Sequence, residues 1–192
     1  VLSESLASAV LCKNTSAVDI LLAKGAKPDV HCLISAAQSD DVEIFKNFLD
    51  HGLDPNVPVP EPSWEDGYNY GWDEDSTALS VSIRNRSRGA FLVLRAQGFI
   101  SNLAHQPAGF ISALIAACQI GDSTLVEQLL SLPNLPRKQA RIGEALEAAI
   151  EENQHHIIGQ LLSVGVKPTI RCLELAIQNQ QLTVVKLLAN YM

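Results

Sequence analysis

In four places along this chain a leucine is followed, nineteen residues later, by a glycine: Leu6 and Gly25, Leu33 and Gly52, Leu79 and Gly98, Leu146 and Gly165. A distance that recurs in this way marks stacked copies of one supersecondary unit, and it limits the fold more than any composition does. The first two copies align residue by residue at an offset of 27, with Ala9 on Ala36, Val18 on Phe45, Leu22 on Leu49, Pro28 on Pro55 and Val30 on Val57. Two further copies start at Leu114 and Leu173, where the glycine slot falls on Pro133 and on the terminal Met192.

Within one copy the apolar residues recur at helical spacing, first around the leading leucine and then through a longer run such as "VEIFKNFL", "LVEQLL", "HIIGQLL" or "LTVVKLL". Each run marks a helix with one buried stripe. Polar stretches ("QSDD", "IRNRS", "QIGD", "EENQ") separate the two. The glycine after the second run suits the left-handed conformation that closes a helix, and a proline three residues on stops it from continuing. Such a hairpin is too small to bury its own apolar face, so the units must stack. The expectation is an all-α helical-hairpin solenoid.

The segments "DVEIFKNFLDHGLDPNV" and "SAVDILLAKGAKPDV" resemble the second helix and glycine turn of the ankyrin repeat, and "STALSVSI" resembles the Thr-Pro-Leu-His opening of its first helix. The resemblance implies an ankyrin-like array of about six repeats, at approximately 1–30, 31–57, 77–105, 110–137, 142–170 and 171–192, within one domain spanning 1–192. The sequence departs from the family pattern in three ways. The opening tetrapeptide is never intact, Gly121 alone supplies the glycine usual between the helices, and the shortest spacing of 27 falls below the usual repeat of about 33. The family binds partners with the exposed ends of its first helices. Carried over, these are Gln38, Ser39, Arg84, Asn85, Gln119, Ile120, Glu151, Glu152, Gln178 and Asn179.

The leading leucines are spaced 27, 46, 35, 32 and 27 apart, and the long interval contains an insertion at 58–76, "PVPEPSWEDGYNYGWDEDS". Its alternating prolines keep its start extended. Trp64, Tyr68, Tyr70 and Trp72 are rigid aromatics of the kind enriched at interface hot spots, set among six carboxylates. They suit a partner with a basic surface. The competing reading has the rings folded back over the apolar seam, with Arg84, Arg86 and Arg88 neutralising the acids next door.

The insertion also explains the charge. The chain carries 21 acidic and 14 basic side chains, net −7; without the insertion, 15 acids face 14 bases. Nucleic acid, which needs a concentrated basic footprint, is not an expected partner. Cys12, Cys32, Cys118 and Cys172 form no close pair, so they read as small buried hydrophobes in a reducing intracellular compartment, cytoplasmic or nuclear. The first residues lack the basic-then-apolar order of a signal peptide, and no apolar run reaches the length of a membrane span.

No constellation carries chemistry. "IGDST" reads as a helix turn with Asp122 or Ser123 as cap rather than a nucleophile elbow, and "EENQHH" names no third metal ligand beside Glu152 and His156. "SLPNLPRKQARIG" reads as a variable, exposed connection. No catalytic residue, cofactor or metal is expected. The resemblance implies a non-catalytic module that binds a protein or peptide through its concave face and its acidic aromatic insertion. The alternative is a structural spacer or intramolecular docking module of a larger protein, an idea prompted by the apolar final helix "LTVVKLLANYM".

Overall fold

The structure is a computed structural model of the chain and describes residues 2–59, 76–103, 107–132 and 141–191. Among the described residues every regular element is a helix. The chain divides into two compact units, Val1–Gly109 and Phe110–Met192.

The first unit holds α1 (Leu2–Leu11), α2 (Thr15–Ala23), α3 (Val30–Ser39), α4 (Val42–Asp50), α5 (Ala78–Arg84), α6 (Arg88–Ala96) and the short α7 (Phe99–Asn102). Consecutive helices pair as hairpins, α1 with α2, α3 with α4 and α5 with α6. First helices then stack on first helices, α3 lying between α1 and α5, while α4 touches α2 and α6. This double stacking is what the apolar pattern requires. Leu6, Leu33 and Leu79 are all fully buried, as are Phe45 and Phe48 on the second helix of their hairpin. Each such side chain contributes about 1.5–3 kcal/mol relative to an exposed one. In α3 the whole run Cys32–Ala37 is buried, and its small Ser35, Ala36 and Ala37 are shielded along with the larger residues.

The second unit contains most of α8 (Pro107–Ile120), then α9 (Ser123–Leu130), α10 (Ile142–Glu151), α11 (His155–Ser163), α12 (Ile170–Gln178) and α13 (Leu182–Ala189). The same rule holds here: α10 pairs with α11 and α12 with α13, while α10 stacks on α12 and α9 on α11. Leu114, Leu146, Val126 and Ile158 are fully buried.

The ruler glycines act as the sequence predicts. Gly25, Gly52, Gly98 and Gly165 have φ of +86°, +85°, +76° and +90°. At three of them the helix closes with the same pair of bonds: Gly25 N to Leu22 O and Ala26 N to Leu21 O, Gly52 N to Leu49 O and Leu53 N to Phe48 O, Gly165 N to Leu162 O and Val166 N to Leu161 O. This Schellman closure satisfies carbonyls the helix end would otherwise leave open.

The turn between the two helices of each hairpin is also left-handed, and there the sequence hides it. Lys13, Asp40, Arg86, Asn153 and Gln180 have φ between 53° and 58°, in line with Gly121 at +77°. At all six turns the next amide bonds back to a small residue in the first helix: Asn14 to Ala9, Asp41 to Ala36, Ser87 to Ser82, Asp122 to Ala117, Gln154 to Ala149 and Gln181 to Ala176. The absence of glycine is therefore no departure in geometry. Asp, Asn and even longer side chains adopt the conformation where the surrounding bonds determine it.

One expectation is corrected. Cys32, Cys118 and Cys172 are buried, but Cys12 is exposed, because it follows the end of α1 and lies outside its apolar stripe.

Candidate binding surface

The residues carried over from the ankyrin resemblance occupy equivalent places in their hairpins. In the first unit Gln38 and Ser39 end α3, Arg84 ends α5 and Asn85 follows as its cap. In the second, Gln119 and Ile120 end α8, Glu151 ends α10 with Glu152 as cap, and Gln178 ends α12 with Asn179 as cap. Gln38, Asn85, Glu151, Glu152, Gln178 and Asn179 are exposed; Ser39, Arg84, Gln119 and Ile120 are half-buried. The left-handed turns explain this placement. Each reverses the chain immediately after these residues; the steps at α10 and α12 are polar and exposed, whereas that of α8 is half-buried and includes the apolar Ile120.

Side chains next to these turns tie neighbouring hairpins together. In the first unit Lys13 Nζ donates to Ser39 O at 2.9 Å, and Asp40 Oδ1 accepts from Ala90 N at 2.9 Å, capping α6, whose own Ser87 makes no side-chain cap. In the second unit Gln181 Nε2 donates to Ile150 O at 2.7 Å across 31 residues of sequence. Gln154 stands at the equivalent place one hairpin earlier, with its amide within 2.9 Å of where a Cβ on Gly121 would sit. Glycine at 121 thus serves a close approach as well as a positive φ. Sequence reading missed Asp40 and Gln181 as linking residues, since their partners lie in the neighbouring hairpin.

The insertion expected at 58–76 is described only at its ends. Val59 N donates to Ser76 O at 2.9 Å, and Val59, Ser76 and Thr77 are buried. Thr77 then starts α5 with a reciprocal capping box, Ser80 N to Thr77 Oγ1 at 3.0 Å and Thr77 N to Ser80 Oγ at 2.9 Å. The "STALSVSI" segment therefore does open a first helix, as its resemblance implies. Trp64, Tyr68, Tyr70 and Trp72 lie outside the described residues.

The remaining candidates have the following places. Asp122 caps α9 through Leu125 N at 2.9 Å, so "IGDST" is a helix start. Arg86 and Arg88 are exposed and Arg84 half-buried; the acids expected to be neutralised by this group fall outside the described residues. In "EENQHH", His155 Nδ1 lies 3.2 Å from Asn153 O and Nε2 lies 3.3 Å from Thr183 Oγ1, an arrangement served by the tautomer with its proton on Nδ1. Among the described residues no three His, Cys, Asp or Glu side chains gather as a metal site would require. Burial pushes the thiols of Cys32 and Cys118 up to about 12, which leaves them protonated and unreactive. Among the described residues no helix is long and apolar enough to cross a membrane.

No family model matches this sequence. No curated protein matches it either. A solved structure does: the human ASB11 ankyrin repeat domain aligns with a TM-score of 0.57 over 97% of this chain and 82% of that chain, at 18% sequence identity. The Leu-to-Gly ruler, the paired and stacked helices, the left-handed closures and this alignment converge on one architecture: the chain has the fold of an ankyrin-repeat domain.

Proposed function

We propose that the chain is a non-catalytic protein-binding module. It engages a protein or peptide through the ends of its first helices, together with the acidic aromatic insertion carrying Trp64, Tyr68, Tyr70 and Trp72. The observation that carries this reading is the repeated exposure of polar residues at one structural position, from Gln38 and Asn85 to Glu151, Glu152, Gln178 and Asn179. A set of amides and carboxylates can form hydrogen bonds to many peptide surfaces. The partner has a basic surface, nucleic acid and membrane are not partners, and the unpaired cysteines fit a cytoplasmic or nuclear location.

A second reading has an observation of its own. Ile170, Ile177 and Leu182 on the last hairpin are 71%, 58% and 73% exposed, which favours a spacer or docking module whose apolar face is covered within a larger protein.

The test is a comparative capture from cell extract. Three baits are used: the chain itself, a version with 58–76 replaced by a short Gly/Ser linker, and Arg84→Ala/Gln119→Ala/Glu151→Ala. The buried neck at Val59 and Ser76 favours folding of the shortened bait, which circular dichroism verifies. The proposal expects a specific protein that both altered baits lose or capture weakly. Equal capture by all three baits refutes the assigned surfaces, and no specific capture by the intact chain moves the spacer reading ahead.

A further inference from the structure

Among the described residues the α1–α2 and α12–α13 hairpins each have a stacked neighbour on one side only: α3–α4 follows the first, and α10–α11 precedes the second. They therefore show which residues serve each side of a hairpin. Four residues after the leading leucine stand Val10, Ala37 and Ile150, none more than 1% exposed, but the equivalent Ile177 on α12 is 58% exposed. The position just before the leading leucine behaves in the opposite sense. Cys32, Ala78, Ala145 and Cys172 are at most 4% exposed there, whereas Ser5 on α1 is exposed.

The other positions divide in the same way. On α12–α13 the side turned to the preceding hairpin is closed, with Ala176, Val184 and Leu188 buried, while on the opposite side Leu173 and Val185 are half-buried and Ala189 is exposed. On α1–α2 the order reverses: Leu6 and Val18 are fully buried, and Ala17 and Leu21 are half-buried. Each of these hairpins thus exposes one half of the contact that α3–α4 makes on both of its sides.

We propose that the two open halves meet between copies of this chain, α1–α2 of one copy stacking on α12–α13 of another as α3–α4 stacks on α1–α2. The residues fit that occupant. Ser5 is as small as Cys32 and Ala145 at the equivalent place, where the preceding hairpin packs. Ala17 and Leu21 stand where Ile44 and Phe48 are fully buried in α4. Ile20, 61% exposed, lies on the same side, since the equivalent Asn47 reaches back to Asp19 of the preceding hairpin at 2.6 Å. A second copy covers Ile20 and Ile177 together, and the contact continues the nearest-neighbour stacking already present within the chain. The helix ends assigned to partner binding take no part in it. Because the two faces differ, the contact is heterologous and does not close on itself, so it builds a series of oligomers rather than one dimer.

The test is sedimentation velocity of the full chain between about 10 μM and 1 mM, a range suited to a small interface. The expected result is a weight-average sedimentation coefficient that rises with concentration past the dimer value. Ile177→Arg and Ser5→Arg should each weaken association about a hundredfold, because each places an unpaired charge in the contact. Both positions are exposed on helices, so the monomers should keep the wild-type circular dichroism. Mixed together, the two variants retain one intact face each and should form a dimer and nothing larger. A monomer at every concentration overturns the proposal and leaves the face around Ile177 to a different protein. Association that survives either substitution overturns it, and so does a closed dimer that the mixture fails to restore. The capture experiment is independent of these outcomes, since its substitutions lie at other helix ends and in 58–76.

Discussion

Replacing Gly52 by alanine and replacing Gly159 by alanine are the same chemical change, yet the structure assigns them opposite signs. Gly52 closes α4 with φ of +85°, and a Cβ added there would meet nothing within 4 Å. No steric clash contributes, so the cost is purely conformational: about 1–2 kcal/mol for an L-residue forced into the left-handed region. The stiffer unfolded chain of the variant offsets roughly 0.4–1 kcal/mol of that. The net expectation is a loss of about 1 kcal/mol. Gly159 lies inside α11 on a right-handed backbone, again with open space around the added carbon. There alanine should gain about 1 kcal/mol from helix propensity. The two variants should therefore differ by about 2 kcal/mol. In a chain of this length that corresponds to a Tm lowered by roughly 2–4 °C in one case and raised by a similar amount in the other. Urea and thermal unfolding followed by circular dichroism measure both. A neutral or stabilising Gly52→Ala would refute the claim that the ruler glycine is present for its backbone conformation.

Three further outcomes follow from the same structure. Of the four thiols, Cys12 alone is exposed, so a thiol reagent applied to the folded chain should label Cys12 rapidly and the other three only after unfolding; fast labelling of Cys32 or Cys118 would contradict their burial. Gln181→Ala removes the buried bond to Ile150 O and should cost about 1–2 kcal/mol in urea unfolding, whereas no loss would mean that the hairpins are not linked there. Trp64→Ala with Trp72→Ala should weaken partner binding more than any pair of helix-end substitutions, measured by titration against the captured protein; unchanged affinity in a folded variant sinks the assigned role of the rings.

The contrast between the two kinds of turn shows what the chain discloses in one dimension. The turn after four of the second helices was legible because it uses glycine at a constant distance from a leucine, and the residue type itself reports the backbone. The turn within each hairpin has the same handedness, but only one uses glycine, Gly121; the other five use Lys13, Asp40, Arg86, Asn153 and Gln180. Aspartate and asparagine hint at a left-handed site; lysine, arginine and glutamine do not, because their conformation is imposed by the bond to a small residue in the preceding helix. Partnerships across hairpins, such as Asp40 with Ala90 and Gln181 with Ile150, depend on stacking and leave no local pattern. Helix-end positions were readable because they keep a fixed offset from the buried leucine. Cys12 shows the limit of composition: the residues before it, Val10 and Leu11, are apolar, but it falls past the last turn of α1 and is exposed.

The central claim is that the polar ends of the first helices form the binding surface, and amide hydrogen exchange of the chain with and without its captured protein tests it most directly. The account predicts slowed exchange in the complex at the helix ends and turns around 38–41, 84–87, 119–122, 151–154 and 178–181, and within 58–76, with the outer faces of the second helices unchanged. Protection confined to the apolar face bearing Ile170 and Ile177, with the turns unaffected, would contradict it and make the chain a docked structural module.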